Sequence, residues 1–260
     1  MSRILLTVEY DGTAYAGWQR QINGLSVQQV LEESLSALCG ETVRVTGASR
    51  TDAGVHARGQ RAHFDTASRI PPEKYPFALN TMLPPDIRVT DGRAVPDGLH
   101  ARFMTCGKLY TYRMLNTRHA SALLRNTHLH VPVPLNEASM QAAVRDLTGT
   151  HDFAAFQASG GTAKTTVRTM REVSLDRCGD AFTFTVYGDA FLYNMVRIMV
   201  GTLIDIGHGR LGADAFARSF VSLDRLDLGP TAPPHGLELT RVDYPQSAFE
   251  DPDSVRWHEE

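Results

Sequence analysis

The segment Gly47-Ala-Ser-Arg-Thr-Asp-Ala-Gly-Val-His56 constrains the fold of this chain more than any other. Thr42-Val-Arg-Val-Thr46 before it alternates as a strand does, and Gln60-Arg-Ala-His-Phe64 after it does so less cleanly. Two such runs around a glycine-punctuated turn predict strand–turn–strand geometry. That geometry lifts a short side chain out of the sheet on a rigid stalk, which is where a nucleophile belongs. Asp52 sits at the centre of the turn and Arg50 two residues before it. Asp and Gly are also the commonest turn residues, so the motif taken alone is accounted for by turn capping.

The rest of the chain reads as two halves and a tail, 1–104, 105–244 and 245–260. In the first half, Arg3 to Tyr10 is a strand that alternates like a sheet edge. Ser26-Val-Gln-Gln29 is a capping box opening a helix with Val27, Val30, Leu31, Leu35 and Leu38 on its apolar face, stopped by Gly40. A helix from Pro72 to Met82 and a strand from Ile87 to Val95 follow. In the second half, Lys108-Leu-Tyr-Thr-Tyr-Arg-Met-Leu115 is a strand with Tyr110, Tyr112 and Met114 on one face. Asn136 caps a helix ending at Gly149, and Arg171–Leu175 and Ala181–Tyr187 form a hairpin. Helices over Phe191–Ile206 and Ala213–Leu223 precede a last strand, Leu237–Val242. Strands and helices in this irregular order, with hairpins, predict an α+β fold rather than a doubly wound sheet.

At 260 residues and 42% apolar, the chain can bury a sizeable core. Its N-terminus lacks the apolar stretch of a signal peptide, and no apolar run approaches the length of a bilayer span. Cys39, Cys106 and Cys178 are far apart, which argues against a zinc site or a disulfide framework and for a reducing cytoplasm. His56 and His63, seven residues apart across a turn, have no fixed facing for a metal, and none is expected. The net charge of −3 hides an uneven distribution. Asp243 onward holds six acids and one base, so the preceding 242 residues carry 25 bases against 23 acids. From Gly98 to Asn136 there is no acid, while Arg102, Lys108, Arg113, Arg118 and Arg125 supply five positive charges. Such a stretch points to a polyanion-binding surface.

Further segments are more specific. They are Asp11-Gly-Thr-Ala-Tyr-Ala-Gly-Trp-Gln19, Asn80-Thr-Met-Leu-Pro84, His100-Ala-Arg-Phe103, Lys108-Leu-Tyr-Thr-Tyr-Arg113 and Gly149-Thr-His-Asp-Phe153. Phe191-Leu-Tyr-Asn-Met-Val-Arg-Ile-Met-Val-Gly201 and Gly229-Pro-Thr-Ala-Pro-Pro234 complete the set. With Arg-Thr-Asp-Ala-Gly-Val-His, and in this order over residues 1 to about 244, the chain resembles the bacterial tRNA pseudouridine synthases of the TruA family. The resemblance implies a homodimer of chains built from two ferredoxin-like halves, with mixed or antiparallel sheets joined across a central active-site cleft. It implies a tRNA substrate modified at uridines 38 to 40 of the anticodon stem-loop, in the cytoplasm and without a cofactor. It assigns Asp52 as the catalytic aspartate, Arg50 as the arginine that helps flip the target nucleotide, Tyr110 as the ring that stacks on the flipped uracil, and Arg197 as the partner of the aspartate. Arg58 and Lys108 join Arg50 and Tyr110 as candidate substrate-binding residues. Ser49 and Ala190 stand where many relatives have glycine, and Leu99 replaces a usual phenylalanine.

The chemistry fits these residue types. Pseudouridine formation breaks the C1′–N1 bond and rejoins the base through C5, with no redox change and no second substrate. It needs a carboxylate acting by attack or proton removal while the detached uracil stays trapped. A uridine within a stem must also be extruded, at a few kcal/mol of stacking and pairing. An arginine beside the aspartate would hold it ionised in a desolvating cleft. Spacing alone does not choose between Tyr110 and Tyr112; only the resemblance picks Tyr110. Two other readings compete. A non-catalytic RNA binder would have no use for a carboxylate facing phosphates, and a glycoside hydrolase ordinarily needs a second carboxylate that no nearby motif supplies.

Overall fold

In the computed structural model, which describes residues 1–161 and 163–250, the chain divides into two units. The first is Met1–Cys106 together with the residues from Leu239 onward, and the second is Gly107–Glu238. The chain therefore re-enters the first unit at Leu239, inside the segment expected to form the second half. Among the described residues, no helix is long and apolar enough to cross a membrane.

The first unit contains β1 (Ser2–Tyr10), α1 (Val27–Cys39), β2 (Thr46–Gly47), β3 (His56–Thr66), α2 (Tyr75–Asn80) and β4 (Ile87–Val95). β1 pairs antiparallel with both β3 and β4, Leu6 lying opposite Ala62 on one side and Gly92 on the other. With β2 on the far side of β3 the order is β4-β1-β3-β2, that of a ferredoxin-like half. β1 is thus a central strand, not the edge its alternation suggests. Ile4-Leu5-Leu6 explains why: Ile4 and Leu6 share one buried face, while Leu5 packs on the other with Leu99, Ala101 and Ala248. Leu99 is fully packed here.

Helix α1 starts where Ser26 Oγ accepts the Gln29 N–H at 3.2 Å and stops at Gly40, which is left-handed. Only half of the capping box forms, because the Gln29 side chain donates to Glu33 instead. The expected strand Thr42–Thr46 shrinks to β2 for a tertiary reason. Val45 N–H donates to Glu32 and Val43 N–H to Ser36, so α1 side chains take the groups a ladder would use. Glu32 is buried and also meets Arg20 and Arg44 at 3.2 and 3.3 Å. The Pro72–Met82 helix is a 3-10 turn followed by α2, ending where the Asn80 amide brackets Val89 with two 2.8 Å bonds.

The second unit contains β5 (Gly107–Leu115), β6 (Leu129–His130), α3 (Glu137–Val144), β7 (Gly149–Asp152), β8 (Val167–Cys178), β9 (Ala181–Gly188), α4 (Met195–Gly207) and α5 (Ala215–Ser222). Its sheet runs β5-β9-β8-β7, antiparallel, with β6 parallel to the end of β5. β5, β9 and β8 hold the first, third and second places of a ferredoxin-like half. Tyr112 and Met114 of β5, Phe182 and Phe184 of β9, and Ile198 and Met199 of α4 are all buried completely. Asn136 caps α3 through the Ser139 N–H, but the helix gives way to a 3-10 turn at Arg145 rather than running to Gly149. His151 lies in β7 with its ring stacked on Phe220 at 4.2 Å.

The last strand, β10 (Leu237–Asp243), lies beside β3 within the first unit from Leu239. A 3-10 turn over Gln246–Phe249 then returns Ala248 to the Leu5 cluster and sets Phe249 against the Arg93 guanidinium at 4.1 Å. The acidic stretch 251–260, the rest of the expected tail, lies outside the described residues. The architecture is α+β, as the irregular order of elements predicts.

Candidate active site

Asp52 stands on a turn clamped from both sides. Its own carbonyl accepts the Val55 N–H at 3.1 Å, and Gly54 supplies the positive φ of 77° that the turn requires. On one flank, the side-chain amide of Gln60 in β3 bonds both backbone groups of Ser49, accepting at 3.1 Å and donating at 2.7 Å. Ser49, whose backbone these bonds hold, is itself buried in the turn. On the other flank, the end of β1 and the Asp11–Trp18 loop after it supply three anchors. Trp18 N–H donates to the Thr51 carbonyl, Gly54 N–H to the Tyr15 carbonyl, and the Tyr10 and Thr51 hydroxyls lie 2.7 Å apart. This approach needs Gly17, since a Cβ there, at φ 92°, would sit 2.6 Å from the Thr51 oxygen. The backbone on either side of Asp52 is thus fixed while its side chain stays half-buried.

Arg50 and Arg58 flank Asp52 and are exposed. The two histidines serve the scaffold. His56 Nδ1 lies 3.1 Å from both Gly12 N and Asp11 Oδ1. One nitrogen cannot accept from the amide and donate to the carboxylate, and we assign the bond to the amide, whose hydrogen is fixed in place. His63 Nδ1 accepts the Ala101 N–H at 3.1 Å. Burial, then the charges of Arg3 and His100, push the His63 pKa down to about 4. Among the described residues no group of three or more His, Cys, Asp or Glu is arranged to hold a metal ion.

In the second unit the structure separates the two tyrosines that spacing left equivalent. Tyr112 is fully buried, donates its hydroxyl to the Pro233 carbonyl at 2.7 Å, and has its pKa raised by burial. Tyr110 lies opposite Val186 and keeps 7% of its surface, with Phe191 edge-on at 4.9 Å. Lys108, two residues earlier on β5, is half-buried opposite Gly188.

Arg197 lies in the first turn of α4, where the helix dipole disfavours a cation. Side-chain bonds offset this: Nη1 donates to Asn194 Oδ1 and Nε to the Ala232 carbonyl, each at 2.7 Å. Asn194 is one of only two non-glycine residues with positive φ among those described, at 62°. That kink starts α4 at Met195, four residues later than the apolar periodicity predicts. The arrangement also explains the Gly229–Pro234 motif, which carries the carbonyl that orients Arg197. Gln60 and Asn194 are the positioning residues that reading the sequence missed. Gln60 has no signal in a strand of mixed polarity; an Asn just before the best-packed helical stretch is a signal for the second.

The comparisons with known proteins decide the family. The model of the tRNA pseudouridine synthase family matches residues 6–104 and 143–245. The chain belongs to that family. It is 48% identical over 245 residues to tRNA pseudouridine synthase A of Ruminiclostridium cellulolyticum, covering 94% of this chain and 100% of that protein. It is 46% identical over 242 residues to tRNA pseudouridine synthase A of Geobacter sulfurreducens, covering 93% and 99%. Among solved structures it is similar to a chain of the archaeal box H/ACA sRNP Nop10-Cbf5 complex, with a TM-score of 0.37 and 10% identity. That match covers 77% of this chain, which spans less than half, 44%, of the solved one. Arg50, Asp52, Arg58 and Arg197 fall inside the family match; Tyr110 and Lys108 fall in the gap between its parts, which the full-length relatives bridge.

Proposed function

We propose that this chain is an isomerase that converts uridine to pseudouridine in tRNA, at positions 38, 39 and 40 of the anticodon stem-loop. The observation that carries the reading is a near-full-length match to tRNA pseudouridine synthases in which an aspartate stands half-exposed on a turn whose backbone is locked on both sides. A locked stalk places the carboxylate reproducibly against a bound nucleotide without further ordering.

In this reading Asp52 acts on the base or the sugar as C1′–N1 breaks, and the detached uracil rejoins through C5. One substrate gives one isomeric product with no electrons gained or lost, so the balance calls for neither nicotinamide nor ATP. Tyr110 offers its ring to the flipped base. Arg197 supplies the positive charge that holds the reacting carboxylate ionised. Arg50 fills the space the uridine leaves, and Arg58 and Lys108 contact the RNA. The family reading also makes the working form a homodimer in the cytoplasm.

The test is pseudouridine mapping on unmodified tRNA transcripts incubated with the purified chain. New pseudouridine at positions 38 to 40 is the expected result. A transcript with uridines there and no new pseudouridine overturns the activity, and pseudouridine confined to other positions overturns the assignment of site.

A further inference from the structure

The loop 97–104 carries the His100-Ala-Arg-Phe103 motif, and none of the roles above uses it. It is anchored at several points. Arg3 Nη1 donates to the carbonyls of Asp97 and Leu99, Ala101 N–H donates to His63, and the Tyr244 hydroxyl donates to the Ala101 carbonyl at 2.6 Å. Met104 N–H closes the turn on the His100 carbonyl at 3.2 Å, and His100 Nδ1 accepts the Arg102 N–H at 3.1 Å. On this frame the Phe103 ring is 75% exposed. It stacks on the His100 imidazole at 4.3 Å with the planes 27° apart, and His100 in turn meets the buried His63 edge-on at 5.1 Å. A chain of three rings thus runs from the core to the surface and fixes the plane of the outermost one.

A single exposed apolar side chain is ordinary. An exposed ring held in a fixed plane beside gathered cations is not. The Arg102 guanidinium lies 5.8 Å from the Phe103 ring centre. Burial, and then the charge of Arg50, lower the Arg102 pKa, so Arg50 is near enough for the two guanidiniums to repel each other. An anion between them would relieve that repulsion. A flat apolar face next to two arginines is the pairing by which single-stranded or splayed-out nucleotides are held, base on ring and phosphate on guanidinium.

We propose that the exposed face of Phe103 is a stacking platform for a nucleobase of the RNA substrate, with Arg102 and Arg50 placed for the adjoining phosphates. The proposal rests on the reading of the chain as an RNA-modifying enzyme and deepens it: Phe103 is a positioning residue that holds a nucleotide other than the reacting one. Arg50 is two residues from Asp52, so the platform sets the register of the RNA against the carboxylate. Because every base has a π-face, the platform is tolerant of sequence and selects for an unstacked nucleotide.

The experiment compares wild type, Phe103→Leu, Phe103→Tyr and Phe103→Trp in the full-length protein, with an unmodified tRNA transcript as probe. Affinity, KM, kcat, thermal unfolding and sedimentation are measured for each. Phe103→Leu should raise Kd and KM by roughly 5- to 150-fold, the equivalent of about 1–3 kcal/mol per stacked base at about 1.4 kcal/mol per tenfold. Its Tm should stay near wild type, because the lost ring face is exposed. Phe103→Tyr should restore affinity, and the added indole of Phe103→Trp should be quenched by tRNA. Unchanged affinity in Phe103→Leu overturns the proposal. So does an equal loss in Phe103→Leu and Phe103→Tyr, or a change in oligomeric state with tRNA affinity intact, which would make the face a protein interface. A wild-type chain that makes no pseudouridine sinks the functional reading separately, and the platform then stands or falls on tRNA affinity alone.

Discussion

Asp52 and Arg197 are held by opposite strategies. Asp52 stands on irregular backbone whose every turn is pinned by hydrogen bonds from elsewhere, chiefly Gln60 and the Asp11–Trp18 loop. Arg197 and Tyr110 stand on a helix and a strand whose own ladders and buried faces do the holding. The difference teaches where precision comes from in each unit. A turn can present a short carboxylate to solvent, but only if other segments remove its freedom. On a helix or strand the backbone is already fixed, and contacts such as those of Asn194 and the Ala232 carbonyl with Arg197 act on the side chain alone.

The largest effect expected is at the carboxylate. Asp52→Asn keeps the size and turn-forming character of the residue, so the clamp should survive. Turnover should fall by roughly 10²–10⁴-fold, the scale on which a positioned acid–base group contributes. Affinity for tRNA should hold, since a carboxylate makes no attractive contact with phosphate. Single-turnover pseudouridine formation and filter binding on the same preparation test both. Turnover near wild type would remove Asp52 from the chemistry and leave the clamped turn without a role.

The tyrosine pair gives the next effect and splits function from stability within the second unit. Tyr110→Leu should lower turnover by about tenfold or more through lost stacking, worth about 1–3 kcal/mol, with little change in Tm. Tyr110→Phe keeps the ring and should retain base stacking. Tyr112→Phe should do the reverse of Tyr110→Leu, losing about 0.5–1.5 kcal/mol of stability with the hydroxyl's bond to the Pro233 carbonyl, with turnover per folded molecule unchanged. If Tyr112→Phe damages turnover more than Tyr110→Leu in a folded protein, the roles are exchanged.

The same contrast explains what could be read from the sequence. Lys108–Leu115 and Ala181–Tyr187 in the second unit, and Leu237–Val242 where the chain returns to the first, emerge within a residue of their observed bounds, because two-residue periodicity reports burial directly. The failures there are at ends, as at Asn194, where one backbone angle overrides a continuous apolar pattern. In the first unit the Arg50-Thr-Asp52 motif is legible as a turn, yet its support is not. Glu32 taking the Val45 amide, Gln60 taking Ser49, and Gly17 admitting Thr51 are contacts between residues far apart in sequence, with no local pattern to announce them. Arg3 and Leu5 of β1 belong to the same class, since their partners at 97–101 and 248 lie at the other end of the unit's chain.

Acid should weaken the first unit's scaffold in a way that traces to one ring. His63 is buried with its folded pKa near 4, below the 6.5 expected when unfolded. The unfolded chain therefore binds more protons between those values, and stability rises with pH through that window. The full contribution is present above about pH 6.5 and is lost progressively down to about pH 4, roughly 2 kcal/mol by pH 5 and at most about 3 kcal/mol in all. His63→Gln retains an acceptor for the Ala101 N–H but cannot titrate. Urea unfolding at pH 7 and pH 5 should show a smaller difference for His63→Gln than for wild type. Equal differences would show that His63 is not the group that titrates.

The smallest effects concern the four arginines of the acid-free stretch, and they sharpen the comparison of the units from the side of the RNA. The structure sorts them before any measurement. Arg113 is half-buried and forms a two-pronged ion pair with Glu238 at 3.1 and 3.4 Å, so its charge is already matched within the fold. Arg118 and Arg125 are exposed in the long connection after β5. Arg102 belongs to the first unit and faces Arg50. Replacing a cation that contacts phosphate should flatten the dependence of log affinity on log salt by about 0.7–0.9, while weakening all tRNAs alike. Arg113→Gln should leave that slope unchanged and lower stability instead, because Glu238 loses its guanidinium. Arg102→Gln should flatten it, and Arg118→Gln and Arg125→Gln should do so where the RNA reaches them. Tyr110, in the second unit, is assigned the base, while Arg50 and Arg102, in the first, are assigned phosphate. A slope that responds to Arg102→Gln but to neither Arg118→Gln nor Arg125→Gln would put the charge contacts chiefly in the unit that carries Asp52. The opposite pattern would move the RNA backbone onto the second unit and remove the phosphate role of the Arg50–Arg102 pair.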